Sequence, residues 1–448
     1  MIIRVFALTI LAALTSYNGF AAIPEIGAGC TVPPRTGDRI VVQNAQQLNA
    51  ALAKANPGDR IILSDGLYAG NFVLSRSGAP SEPIVVRARR KMFARIDGTL
   101  TLAGRDTWAY GLMITGKNAQ VTMTGERSRL IRSKISGRRD DPKSQSGSIM
   151  IGMMGRDQHL GCNDISDTNG RGISTSTQKS TGARIYRNYI HDQYVSPTYK
   201  NQRAHEALQL GQTQGVGVDG ATCRIPLNAS VHHNLFYRWN HSGDSENETI
   251  SIKSSSNNVY QNTMIQTRLI MNRFGYNNVI QSNWIEQGNT NGLNGIAVKG
   301  DNTKVIGNTI KLAANAGIFI QTGNQTMDGR GMHRSSDVPP GAKLSTVWDN
   351  TTDNPIARNT LVAGNNAPVI SVGRPAPEGN SLVETRKTRL EGNTGQIETA
   401  KNYIGKWDSP RKGNLETTTT YSPTTTQRYL AAEKLSLSDV GPDFVPAN

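Results

Sequence analysis

"NVYQNTMIQTRLIMNRFGYNNVIQSNWI", residues 258–285, states one phrase twice. A short apolar alternation runs into Asn262, then a second runs into Asn283, and each is followed by another apolar residue pair. The phrase recurs: RIYRNYI carries Asn188, SVHHNLF carries Asn234, KVIGNTI carries Asn308 and PIARNTL carries Asn359. Successive asparagines stand 46, 28, 21, 25 and 51 residues apart, so the two long steps read as a skipped rung. Short strands at such a period, with Gly and Asn at the corners, predict an all-β chain: a right-handed parallel β-helix. One coil cannot bury its apolar edges, and stacking supplies the core. Asparagine is expected at the corners because it tolerates left-handed backbone and its amide can bond to the same turn of the next coil. A β-sandwich also uses short strands but gives asparagine no reason to recur.

The ends of the chain read differently. In NAQQLNAALAKANPGD (44–59), Leu48, Ala51, Leu52 and Ala55 share one helical face before Pro57 and Gly58. An N-terminal helix there would cap the first coil, whose open strand edges invite aggregation. TTTTYSPTTT (417–426) is low in complexity, and the segment from about residue 410 to 448 is expected to be rich in loops. The first 22 residues, MIIRVFALTILAALTSYNGFAA, read as a signal peptide cut near Ala21 or Ala22. Their apolar run is short for a membrane span and is interrupted by Ser16, Asn18 and Gly19. The expectation is a single β-helix domain over 23–448, secreted or periplasmic. Three cysteines, Cys30, Cys162 and Cys223, show no zinc-ligand spacing, and which of them pair is left open.

The formal net charge is +15. Nucleic acid is the common partner of such a charge. The leader argues against it, and no basic helix or aromatic-spaced basic motif appears. An acidic polysaccharide fits better; mere solubility is the bland alternative. Oligomeric state is not legible.

Chemistry gathers at ENETISIKSSS, residues 246–256. On a strand, Glu246 and Glu248 point the same way. Lys253 lies an odd number of residues further, so a bend or bulge is needed to turn it into the same groove. Arg273 follows 20 residues later, one coil on, where it would stack nearly above the lysine. Two carboxylates, a lysine and an arginine suit β-elimination in a uronate polymer. The proton at C5 leaves only if the neighbouring carboxylate is neutralised and the enolate-like transition state stabilised. A cation on Glu246 and Glu248 would neutralise it, and oxygen ligands favour calcium. A lysine of depressed pKa would take the proton, and the arginine would steady the leaving oxygen. An ion-pair ladder without function is the competing reading of the spacing alone. His205, His232, His233 and His241 lack ligand spacing and read as structural or solvent-facing. Trp239 and Tyr237 read either as a sugar platform or as aromatic packing.

ENETISIKSSSNNVYQNT followed by MNRFG resembles the core motif of the chondroitinase B and alginate lyase family of polysaccharide lyases. LNAALAKANPGDRIILSDGLYAGNFVLSRSGAPSEPIVVRA is similar to the family's opening, HEALQLG to one of its strands, and LSLSDVGPDF to its closing segment. The resemblance thus spans most of residues 40–445. It implies a right-handed parallel β-helix, Lys253 as base, Arg273 as its catalytic partner, and Glu246 and Glu248 as calcium ligands. Phe274 stands where the family usually has histidine. Arg203 stands at the third calcium ligand's place, with Asn201 two residues away. So either calcium is held by Glu246, Glu248 and Asn201, or Arg203 replaces the ion and binds the substrate carboxylate. Asp328 and Arg374 fall near substrate-contacting regions. Ala313 replaces an arginine of chondroitin-cutting members, which favours alginate over dermatan. A β-helix that binds polysaccharide without cutting it and a hydrolase of pectinase type are the readings from other classes. Block preference and endo or exo action are not legible.

Overall fold

The structure, a computed structural model, describes residues 30–31, 35–137, 149–175, 179–193, 205–211, 226–239, 248–286, 294–298, 302–311 and 432–442, and shorter segments between 316 and 417. Short strands stack rung upon rung. One parallel sheet of 14 strands runs from Arg39–Val42 to Leu415–Thr417, and a second, of 20 strands, wraps the other sides. Between them lies one apolar core. In the first sheet its central row is Ile61, Val86, Ala109, Leu130, Leu160, Ile185, Val231, Val259, Ile280 and Val305, one residue per rung. Each buried Val, Leu or Ile of this row contributes about 1.5–3 kcal/mol of burial energy. The expected parallel β-helix is the observed fold.

The capping helix is also present, over Ala45–Lys54. The Asn44 side chain accepts from the Gln47 backbone N–H, which satisfies one of the orphan donors of the first turn. Leu48, Ala51, Leu52 and Ala55 are all buried and close the apolar end of the solenoid.

The asparagines form a continuous ladder, with two corrections. From Asn163 through Asn188, Asn234, Asn262, Asn283 and Asn308 to Asn359, each amide nitrogen donates to the next asparagine's Oδ1 at 2.9–3.0 Å. The long steps skip no rung. Arg184–Tyr186 pairs directly with Ser230–His232, and Lys304–Ile306 with Pro355–Ala357. Those coils carry long insertions instead. Nor is asparagine the left-handed residue. That conformation belongs to the residue before it: Cys162, Arg187, His233, Gln261 and Ser282 have φ of 52–55°. The bend occurs one position early, which turns the asparagine inward to stack.

Cys30 and Cys162 form a disulfide across 132 residues; Cys223 lies outside the described residues. The segment 432–442 runs back along the flank of the coils. Leu435 and Val440 pack with Leu235. Arg187 donates to the Asp439 carbonyl, and Lys91 and Arg132 to that of Pro442. Most of TTTTYSPTTT, residues 418–426, lies outside the described residues, as does the stretch 1–22 read as a signal peptide. Among the described residues no helix is long and apolar enough to cross a membrane.

Candidate active site

Four strands on consecutive coils build the site: Arg171–Thr175, Leu208–Leu210, Glu248–Lys253 and Leu269–Phe274. Ile173, Leu208, Ile250 and Ile270 pair in register and are fully buried, so this row is anchored in the core. Around that anchor the register slips twice. Thr249 is an extra residue between Glu248 and Ile250, and Arg273 is an extra residue opposite the step from Ile252 to Lys253. Such bulges bend a strand and re-aim its side chains. The bulge that the odd spacing of Glu248 and Lys253 requires is therefore present. Thr249 is fastened by its hydroxyl, which donates to the Trp239 carbonyl and accepts from the Arg268 N–H.

Lys253 is 3% exposed. Its Nζ donates to Glu206 Oε1 at 3.1 Å and to Gln209 Oε1 at 3.0 Å. An ammonium has three donors, so one direction remains for another partner. Glu206 Oε2 accepts from Arg171 Nε at 3.0 Å. Burial pushes the Glu206 carboxyl up, but Lys253 and Arg171 pull harder and hold it well below the usual carboxylate range, at about 2. The Gln209 amide nitrogen donates to the Gly211 carbonyl, which aims its oxygen at the lysine. Glu248, 3% exposed at its side chain, forms an ion pair with Arg273 Nη1 at 3.4 Å.

The supports of this network are packed. A Cβ on Gly172 would meet the Ala207 carbonyl at 2.7 Å and the Trp239 ring at 3.2 Å, so only glycine allows this approach. Trp239 Nε1 donates to the His205 carbonyl at 2.8 Å. Trp239 is 1% exposed and belongs to the core, which removes it as a sugar platform; Tyr237 lies against Arg238. His232 stacks between Tyr186 and Tyr260, a structural role, and burial keeps it neutral down to about pH 3. His233 adjoins it, His205 is buried, and His241 lies outside the described residues.

Lys253 and Arg273 are on neighbouring strands, as the sequence suggests, but not stacked. Lys253 pairs with Phe274, and Arg273 occupies the bulge and reaches Glu248 instead. Glu246, Asn201, Arg203, Asp328 and Ala313 lie outside the described residues. Arg374 ends the strand Val369–Arg374, described for its backbone alone. Sequence reasoning missed Glu206, Gln209 and Arg171. HEALQLG is recognisable as a strand, yet its Glu206 meets a lysine 47 residues on and an arginine 35 residues back. Neither interval repeats the asparagine period.

Of the implied calcium donors, the described residues hold Glu248 alone, and its carboxylate faces a guanidinium. Among the described residues no three His, Cys, Asp or Glu side chains are placed to hold a metal ion. Among the described residues the contacts assemble three basic side chains, Arg171, Lys253 and Arg273, against two carboxylates, Glu206 and Glu248.

A family model described as Chondroitinase B matches residues 42–404. A search of curated proteins finds no match. Among solved structures, the chain is similar to a polysaccharide lyase family 6 enzyme from Pseudopedobacter saltans, with a TM-score of 0.69 and 19% identity over 90% of this chain and 99% of that one. It is similar to a mannuronic acid specific family 6 lyase from human gut microbiota, with a TM-score of 0.65 and 18% identity over 81% of this chain and 82% of that one. An alginate lyase in complex with a trisaccharide gives a TM-score of 0.60 and 18% identity over 91% and 96%. At these identities the solved structures speak to the fold.

Proposed function

Because the chain belongs to the chondroitinase B family of polysaccharide lyases, with 42–404 matched, we propose that it cleaves alginate by β-elimination outside the cytoplasm. The observation that carries the chemistry is Lys253, held by Glu206 and Gln209 with one donor direction free, one strand from Arg273. In this reading Lys253 removes the C5 proton of the uronate. The C5–H electron pair forms the C4=C5 double bond. The C4–O bond breaks, and its pair goes to the glycosidic oxygen. Arg273 stabilises that oxygen until a proton from solvent completes the new reducing end. Calcium, where bound by family members, would supply positive charge to the substrate carboxylate; the described residues of this site supply cationic side chains instead.

Alginate is favoured over dermatan by Ala313 in place of the arginine of chondroitin-cutting members. The solved relatives, named as alginate or mannuronic acid lyases, point the same way. Dermatan remains the second reading because the matching family is named for chondroitinase B. Export is supported by the leader and by the Cys30–Cys162 disulfide, a bond that persists in oxidising compartments. The test is a panel of mannuronate blocks, guluronate blocks and dermatan, with and without chelator, read by the ultraviolet absorbance of the unsaturated uronate. Product from alginate that survives chelation is expected. Reducing ends without that absorbance would mean hydrolysis, and binding without product would mean a non-catalytic β-helix; either overturns the proposal.

A further inference from the structure

We infer that Arg171 neutralises the substrate's uronate carboxylate, and that Glu206 holds it in register with Lys253. This rests on the lyase reading above and adds the residue that carries the charge. Three observations converge on it. First, Arg171 is the first residue of its strand and is tied down by one end only. Its Nε donates to Glu206, and among the described residues its terminal Nη groups take no hydrogen bond. A guanidinium anchored at Nε keeps a planar pair of donors that matches a carboxylate in bidentate fashion.

Second, exposure is graded. The Glu206 side chain is fully buried, Lys253 is 3% exposed and Arg171 is 15% exposed. The carboxylate is buried between the two cations, and of the three the guanidinium is the most open to solvent. Each Glu206 oxygen is committed to one cation, at 3.1 Å and 3.0 Å, so ammonium and guanidinium are separated by a single carboxylate. In a uronate, the carbon that loses its proton is bonded to the carboxylate carbon. A base and a neutralising cation must therefore stand side by side at about this spacing.

Third, among the described residues the other two basic side chains of the site are engaged: Lys253 with Glu206 and Gln209. Arg273 pairs with Glu248, and Glu248 is the sole described member of the calcium set. The platform beneath Arg171 is fixed by the close packing of Gly172 on Ala207 and Trp239. Arg171 arrives pre-organised, which is what electrostatic stabilisation of a developing enolate requires.

The experiment compares two substrates, polymannuronate and its methyl ester, in which no carboxylate charge needs neutralising. Arg171→Gln is expected to lose about 100-fold or more in kcat on the acid polymer and to lose little on the ester. Arg171→Lys keeps a charge beside Glu206 and removes the fork; it is expected to be intermediate on the acid polymer and near wild type on the ester. Thermal unfolding of both variants accompanies the kinetics. Equal loss on both substrates by either variant, or an unimpaired rate on the acid polymer, overturns the inference. Should Arg171→Gln fail to fold, Arg171→Lys alone decides by the same comparison. Failure of the lyase reading looks different: the wild-type protein then yields no unsaturated product from either polymer.

Discussion

Two polar stacks run through this solenoid, and they obey opposite rules. The asparagine ladder is regular. Every member is buried, neutral and bonded to its successor, and its amide also donates to a carbonyl of the preceding coil, as Asn262 does to Val231 and Asn283 to Val259. The second stack, Arg171, Glu206 and Lys253 with Gln209, is charged and irregular: Glu206 precedes its strand, Leu208–Leu210, and Lys253 ends a strand whose pairing with the next coil slips twice. Buried charges are costly unless paired with good geometry, so nothing about stacking coils demands this second column. A polar stack that repeats is architecture; one that breaks the repeat and holds charge is chemistry.

That contrast is broken most severely at Lys253. Lys253→Ala removes the base but leaves the ladder intact. Elimination is expected to fall about 100- to 10,000-fold, with the unfolding midpoint moved far less than by a ladder variant. Glu206 keeps Arg171 as a partner, so one of its two buried ion pairs survives. Retention of most of the rate would remove Lys253 from the mechanism.

Arg273 comes next. Lysine there keeps the charge and loses the planar fork, and its reach to Glu248, 3.4 Å in the structure, shortens. Arg273→Lys is expected to slow elimination on the order of 100-fold while polymer binding, measured on the Lys253→Ala background, changes little. A rate near wild type would show that charge alone suffices at the bulge.

The same contrast explains what was legible in the sequence. The ladder residues from Asn188 to Asn359 are readable because each sits in a repeated apolar phrase, and the capping helix because Leu48, Ala51, Leu52 and Ala55 keep helical spacing. Lys253 and Arg273 are readable because they fall on adjacent coils with no long insertion between. Glu206 and Arg171 are not, because the coil that joins them to Lys253 carries insertions of arbitrary length. Asn163 escaped because its phrase, HLGCNDIS, has glycine and cysteine where the others have bulkier residues. The left-handed corner was misassigned for a physical reason: the bend precedes the asparagine, and Arg187, Gln261 and Ser282 pass through it without being favoured left-handed residues.

The smallest expected effect on catalysis comes from the ladder itself. Asn262 Oδ1 accepts from the backbone and amide nitrogens of Asn234, and its own amide donates to Val231, Tyr260 and Asn283. Asn262→Ala strands the Asn234 backbone N–H in a fully buried row, while the Asn234 amide keeps the Ile185 and His232 carbonyls and Asn283 Oδ1 keeps the backbone N–H of residue 262. That unsatisfied donor costs about 1–3 kcal/mol and the three hydrogen bonds the amide donates are lost with it, so a loss of at least about 2 kcal/mol in unfolding free energy is expected, with kcat unchanged under conditions where the variant is folded. Ser133→Ala, at the ladder's start, deprives one N–H, that of Leu112, of its acceptor and is expected to cost less, about 1 kcal/mol. Denaturant unfolding of the pair measures the difference. Equal costs at the two sites would mean that the ladder does not act as a chain, and a fall in kcat for Asn262→Ala would mean that the two stacks are coupled after all.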